Sequence, residues 1–228
     1  MLRQDYLWDG GPSFFFDTDL FSPTTDSFAL GYFATPKNGD SVCDLGCGTG
    51  LLGTLLLARN GALTLHNVEV QSAAIALAER TFAVNGWAAR FYCGDLRDFS
   101  VLPAAGTADY VVSNPPYFKT GSGASAPDGS RQTAREETYC TLDDVCTAAK
   151  RVLRWGGSFA VVYRPERLVD LLTCLRTHGM EPKRLRFVQA KDTPSLVLVE
   201  ARRGGKAGLC IEPPLIIGSM EWDKVYFR

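Results

Sequence analysis

Two short stretches of this chain carry residue types that could do chemistry together: residues 44–50, Asp-Leu-Gly-Cys-Gly-Thr-Gly, and residues 114–117, Asn-Pro-Pro-Tyr. Gly46, Gly48 and Gly50 follow an apolar run and lead into one with helical spacing, so they form a loop at a helix N-terminus. Glycine there reaches dihedrals closed to other residues and leaves room for a nucleotide-like cofactor to approach bare backbone. A dinucleotide fingerprint expects Gly-x-Gly-x-x-Gly; the third glycine arrives one residue early, since Leu51 stands at the expected position, which weakens a pyrophosphate reading. The Asn-Pro-Pro-Tyr corner offers two pure acceptors, the Asn114 side-chain oxygen and the Pro115 carbonyl. An exocyclic NH₂ that donates to both is drawn toward tetrahedral geometry, and its delocalised lone pair becomes available to attack. Pro115 and Pro116 keep that corner rigid and present no N–H. Tyr117 supplies a face on which a base can stack, worth about 1–3 kcal/mol in nucleic-acid sites, and Phe118 extends it. The bland reading is a turn, because Asn-Pro and Pro-Pro form turns anywhere. Position after the fourth strand of a chain that already has the glycine loop favours chemistry.

Three acids fall at the ends of the first three core strands. Asp44 closes the first, Glu69 the second and Asp95 the third. An acid at the second strand end can accept both hydroxyls of a ribose, and one at the third can pair with an adenine amino group. Each alone reads equally as a helix cap or a surface charge; together they read as a nucleoside site.

These residues need a frame, and the chain supplies one. Short apolar runs rich in β-branched residues alternate with runs at helical spacing, the rhythm of an α/β fold with a mostly parallel sheet. Strands are predicted at 41–44, 63–69, 89–93, 110–113, 159–163, 184–189 and 196–201, making seven, and helices at 50–59, 72–85, 142–153 and 165–177. Residues 120–130 have almost nothing to bury and are predicted as a mobile loop directly after the Asn114 corner. One domain over 1–228 is expected, with residues 1–40 as a segment ahead of the first core strand.

Composition excludes several classes. No apolar run approaches the roughly 20 residues that span a bilayer, and the N-terminus lacks a signal-peptide core. The seven cysteines, at 43, 47, 93, 140, 146, 174 and 210, contain no Cys-x-x-Cys pair, and the two histidines, His66 and His178, are far apart, so neither a disulfide framework nor a metal site is expected. A cytoplasmic protein follows. The formal net charge of −1 hides an asymmetry: residues 1–130 hold 7 basic against 13 acidic side chains, whereas 131–206 hold 15 against 9. A phosphate-bearing partner would be drawn to the second half, unless these charges are scattered over solvated helix faces.

The Asp-x-Gly-x-Gly-x-Gly loop with acids after the next two strands resembles the class I methyltransferases that use S-adenosylmethionine, and so does the turn at 153–157 before an apolar strand. The resemblance implies a three-layer Rossmann-like fold. It implies that Asp44, Gly46, Cys47, Gly48 and Gly50 surround the methionine end of the cofactor, Glu69 the ribose, Asp95 with the Leu96 backbone the adenine, and Asn114 the methyl. Nearly the whole chain is similar to the bacterial tRNA adenine-N6 methyltransferases acting on valine tRNA. The carrying residues are 25–26 and 28–30, Arg131, Ala134, Arg135 and Glu137, 165–168, and 182–188. That implies N6-methylation of adenine in tRNA or another structured RNA by a monomer or weak homodimer. Arg131, Arg135, Lys183, Arg184 and Arg186 are then expected to line a phosphate-binding surface, the alternative for 182–188 being an edge strand whose basic residues face water. Release-factor glutamine methyltransferases share the corner but resemble chains with a helical domain ahead of the sheet. DNA adenine methyltransferases share it but usually carry a separate recognition domain. A non-catalytic cofactor-binding protein would need neither Asn114 nor the intact loop.

Overall fold

The structure, a computed structural model, describes residues 2–17, 23–115 and 140–227. Its centre is a sheet built on seven strands: β3 (Ser41–Leu45), β4 (Thr64–Glu69), β5 (Ala89–Cys93), β6 (Ala108–Ser113), β7 (Leu153–Tyr163), β8 (Met180–Gln189) and β9 (Pro194–Arg203). They lie in the order β8-β9-β7-β6-β3-β4-β5, and only β9 runs antiparallel to its neighbours. Two further strands, β10 (Cys210–Ile211) and β11 (Leu215–Ile216), pair parallel with the outer edge of β8 and bring the count to nine. The expected seven is therefore corrected: runs of two residues carry no readable periodicity.

Alternation along the strands builds two cores. Val42, Leu65, Tyr110, Val112, Ala160 and Leu198 face one side with α1 (Thr25–Phe33), α2 (Leu51–Arg59), α3 (Ser72–Val84) and α6 (Met220–Val225). Cys43, Val68, Val111, Phe159, Val161 and Val199 face the other with α4 (Leu142–Val152) and α5 (Leu168–Thr177). Helices on both faces of a mostly parallel sheet make the three-layer α/β architecture expected.

Several local differences have plain causes. The helix expected at 165–177 opens as a 3-10 turn, Pro165–Arg167, before α5. Strand β7 begins at Leu153, and Gly156, at φ +76°, lets the chain continue into it where a turn was expected. The N-terminal segment holds a hairpin, β1 (Leu2–Tyr6) with β2 (Ser13–Asp17), fastened to α3 by Phe15 N–H to Thr81 Oγ1 (3.0 Å) and Ser13 N–H to Asn85 Oδ1 (3.0 Å). The loop expected at 120–130 lies outside the described residues.

Candidate active site

Strands β3, β4, β5 and β6 end at the same edge, and every described site residue predicted from the two motifs lies there. Gly46, Gly48 and Gly50 all have positive φ, +76°, +53° and +80°, so the loop between β3 and α2 requires glycine on conformational grounds. Their surroundings differ. A Cβ at Gly46 would meet nothing within 4 Å, whereas one at Gly50 would lie 2.9 Å from the Ala78 Cβ. Gly46 thus leaves a cradle that a ligand can fill, while Gly50 lets α2 close on α3. Gly53, not singled out in the sequence, packs α2 onto β4: its Cβ would stand 2.9 Å from Leu65 Cδ1.

The acids have distinct surroundings. Glu69 is buried and accepts from the Gly48 N–H at 3.0 Å and the Gln71 N–H at 2.9 Å, so its carboxylate already braces the glycine loop. Asp44 is buried, and its Oδ2 has no hydrogen-bond partner. Burial, with Glu69 nearby, pushes its carboxyl up to about 8, against a smaller downward pull from the Gly53 N–H. A buried carboxylate oxygen without a partner, beside a glycine loop with room for a ligand, suits a cationic group, so these residues fit S-adenosylmethionine, whose methionine end carries an ammonium and whose sulfur is positive. Asp95 is engaged by Arg97, whose Nε lies 3.0 Å from both carboxylate oxygens; these bonds hold its carboxyl below the usual range. Leu96 is half-buried beside it. The Cys47 thiol is buried and held neutral by burial, an inert wall of the loop.

Asn114 follows β6 directly, and two serines absent from the sequence reading place it. The Ser113 hydroxyl donates to the Leu45 carbonyl at 2.7 Å, tying the end of β6 to the end of β3 just before Gly46. The Asn114 amide Nδ2 donates to the Ser27 Oγ at 3.0 Å, from a buried serine in the first turn of α1. With its nitrogen turned to Ser27, the amide directs its oxygen the other way. Ser27 itself lies between the resembling stretches 25–26 and 28–30, and nothing in the sequence marked it. Pro115 is buried. Pro116, Tyr117, Phe118, Arg131 and Arg135 lie outside the described residues.

Of the three basic residues expected on β8, Arg184 and Arg186 need correction. Arg184 pairs with Glu200 (3.2 Å) and Glu212 (2.7 Å), and donates to the Thr35 hydroxyl. Arg186, 9% exposed, forms a two-pronged pair with Glu221 at 2.8 and 2.7 Å and donates to the Pro213 carbonyl. Both guanidiniums are committed to acids on β9, just after β10 and on α6, so neither offers a free charge to phosphate, and neither faces water as on a bare edge strand. Lys183 is half-buried and donates to the Lys206 carbonyl.

Comparison with known proteins agrees with this geometry. Residues 27–173 match the family model described as Methyltransferase small domain. The tRNA1(Val) (adenine(37)-N6)-methyltransferase of Dickeya chrysanthemi is 31% identical over 188 residues, covering 80% of this chain and 73% of that protein. The enzyme of the same name from Tolumonas auensis is 30% identical over 202 residues, covering 83% of each. Among solved structures, a predicted O-methyltransferase of Agrobacterium tumefaciens superposes with a TM-score of 0.71 at 17% identity, over 89% of this chain and 95% of that one, a likeness of fold. A glycine cradle beside an orphaned acid, an amide aimed by a buried serine and these matches lead to one assignment: the chain belongs to the methyltransferase small domain family.

Proposed function

We propose that this protein transfers the methyl group of S-adenosylmethionine to the N6 nitrogen of an adenine in tRNA, an anticodon-loop adenine as in the relatives it resembles. The observation that carries the reading is the Asn114 amide, held by Ser27 at the edge where the glycine loop opens. S-adenosylmethionine would supply an electrophilic methyl on a positively charged sulfur. The protein's part is binding and orientation. Asp44 and the backbone of residues 46–48 hold the methionine end, Glu69 the ribose, and Asp95 with Leu96 the adenine moiety.

The Asn114 oxygen and the Pro115 carbonyl accept the two N–H bonds of the target amine, and Tyr117 with Phe118 stacks its ring. The lone pair so localised would be aimed at the methyl that the cofactor supplies, and the proton freed from the nitrogen would pass to water. Because the leaving group departs neutral, positioning supplies most of the acceleration and no strong base is required. An unpaired loop base reaches such a corner more cheaply than one in a duplex. With Arg184 and Arg186 spoken for, Arg131, Arg135 and Lys183 remain as the phosphate contacts.

The test uses labelled S-adenosylmethionine with total tRNA, duplex DNA and release factor in parallel. N6-methyladenosine in tRNA is expected, lost in Asn114→Ala while cofactor binding persists; label on the protein substrate or the DNA, or tRNA methylation surviving the substitution, overturns the reading.

A further inference from the structure

On the sheet face opposite the glycine loop's helix, α4 and α5 bring together donors that the proposed methyl transfer does not use. Asp143 and Cys146 stand three residues apart on α4, and Cys174 and His178 stand four residues apart across α5 and its C-cap, spacings that place each pair on one helix face. The two faces meet. His178 Nε2 lies 3.2 Å from Asp143 Oδ1, Cys174 Sγ lies 3.9 Å from the same oxygen, and the three ligand atoms fall within 4.8 Å of one another. The fully buried Cys146 is not one of these three donors.

We propose that Asp143, Cys174 and His178 hold a zinc ion that fastens α4 to α5. Zinc bonds of about 2.3 Å to sulfur and about 2.0–2.2 Å to nitrogen and oxygen require ligand-to-ligand edges of roughly 3.3–3.8 Å. The observed 3.2 and 3.9 Å edges bracket that range, so small side-chain rotations bring the three donors onto one ion. A thiolate with an imidazole selects zinc over the hard cations magnesium and calcium, which take oxygen shells. An ion here takes the place of one existing contact, the Thr147 hydroxyl 3.2 Å from His178 Nε2. Cys146 is buried, Cys174 and His178 are half-buried and Asp143 is exposed, so the site is closed on the core side and reachable from solvent. Three protein ligands leave the fourth tetrahedral position to water. Neither pair has the Cys-x-x-Cys spacing by which zinc sites are usually read from sequence, so the helical spacing is the signal.

The full chain, stripped by chelator, is titrated with zinc and separately with cobalt(II). One equivalent of zinc per chain is expected, with release of the Cys174 thiol proton, and cobalt should give visible d–d bands with a near-ultraviolet thiolate charge-transfer band. The paired substitution Cys174→Ser, His178→Ala is expected to abolish both while S-adenosylmethionine still binds, which shows that the variant is folded. Asp143→Ala, at an exposed position, should weaken zinc binding without touching the core. Absence of zinc uptake and cobalt bands in the unaltered chain, or their survival in the paired variant, overturns the proposal.

Discussion

The Asn114 Nδ2 and the Ser27 Oγ are 3.0 Å apart, across 87 positions of sequence, and that bond ties the proposed acceptor of the target amine to the first turn of α1. An asparagine amide can be turned either way, and only one orientation presents oxygen to an incoming NH₂. Ser27 is buried, so water does not readily replace it.

Ser27→Ala should therefore lower kcat about tenfold, the equivalent of roughly 1.4 kcal/mol of lost orientation. The KM for S-adenosylmethionine should change little, because the bond lies on the amine side of the site. Ser27→Thr keeps the oxygen and should recover most of the loss. Steady-state kinetics on tRNA decide it; an unchanged kcat in Ser27→Ala would remove Ser27 from the machinery.

Asp44 predicts a pH dependence with a definite sign. Its carboxyl is raised from 3.8 to about 8 in the ligand-free fold, so the stability it contributes is fully present below 3.8 and is lost as pH rises through about 8. A cationic ligand favours the carboxylate instead. Cofactor affinity should rise with pH by up to about tenfold per unit below that pKa, with a proton released on binding, and level off above it. Calorimetry in buffers of different ionisation enthalpy reads the proton directly. Asp44→Asn should bind weakly and lose the slope; a slope that persists would belong to another group.

The legible parts of this molecule are those where a single residue type suffices. Glycine at 46 and Asn114 with Pro115 carry their geometry locally, and the long strands show apolar runs. Helix α1 escaped because six of its nine residues are buried, leaving no polar face to mark a period. Strand β1 escaped for the opposite reason, all five of its residues being exposed. Ser27 and Ser113 are common residues whose roles exist only once α1, β3 and β6 converge. Arg184 and Arg186 read as a basic strip because Glu200, Glu212 and Glu221, which neutralise them, arrive from later in the chain.

Gly46 and Gly50 should separate when substituted. Both pay about 1–2 kcal/mol for a side chain at positive φ. Gly50→Ala also drives a methyl to 2.9 Å from Ala78 Cβ, so it should lose clearly more stability in urea unfolding than Gly46→Ala. Gly46→Ala should fold and yet bind S-adenosylmethionine at least about tenfold more weakly, because its methyl occupies the cradle. Equal losses of stability with intact binding in both would place the cofactor elsewhere.

Arg186 tests the division between structure and RNA contact. Its guanidinium fills both oxygens of Glu221, and Tyr32 donates to the same carboxylate at 3.2 Å, so Arg186→Ala leaves a carboxylate without its cation and a void under α6. Glu221 keeps some access to water, which limits the cost to about 1–3 kcal/mol of unfolding free energy. The paired change Arg186→Met, Glu221→Met removes both charges and should recover part of that loss. Neither variant should alter the salt dependence of tRNA binding, whereas removing Lys183 should lower its slope by about one counterion. If Arg186→Ala lowers the salt slope while leaving stability untouched, Arg186 is a phosphate contact and its pairing with Glu221 yields to RNA.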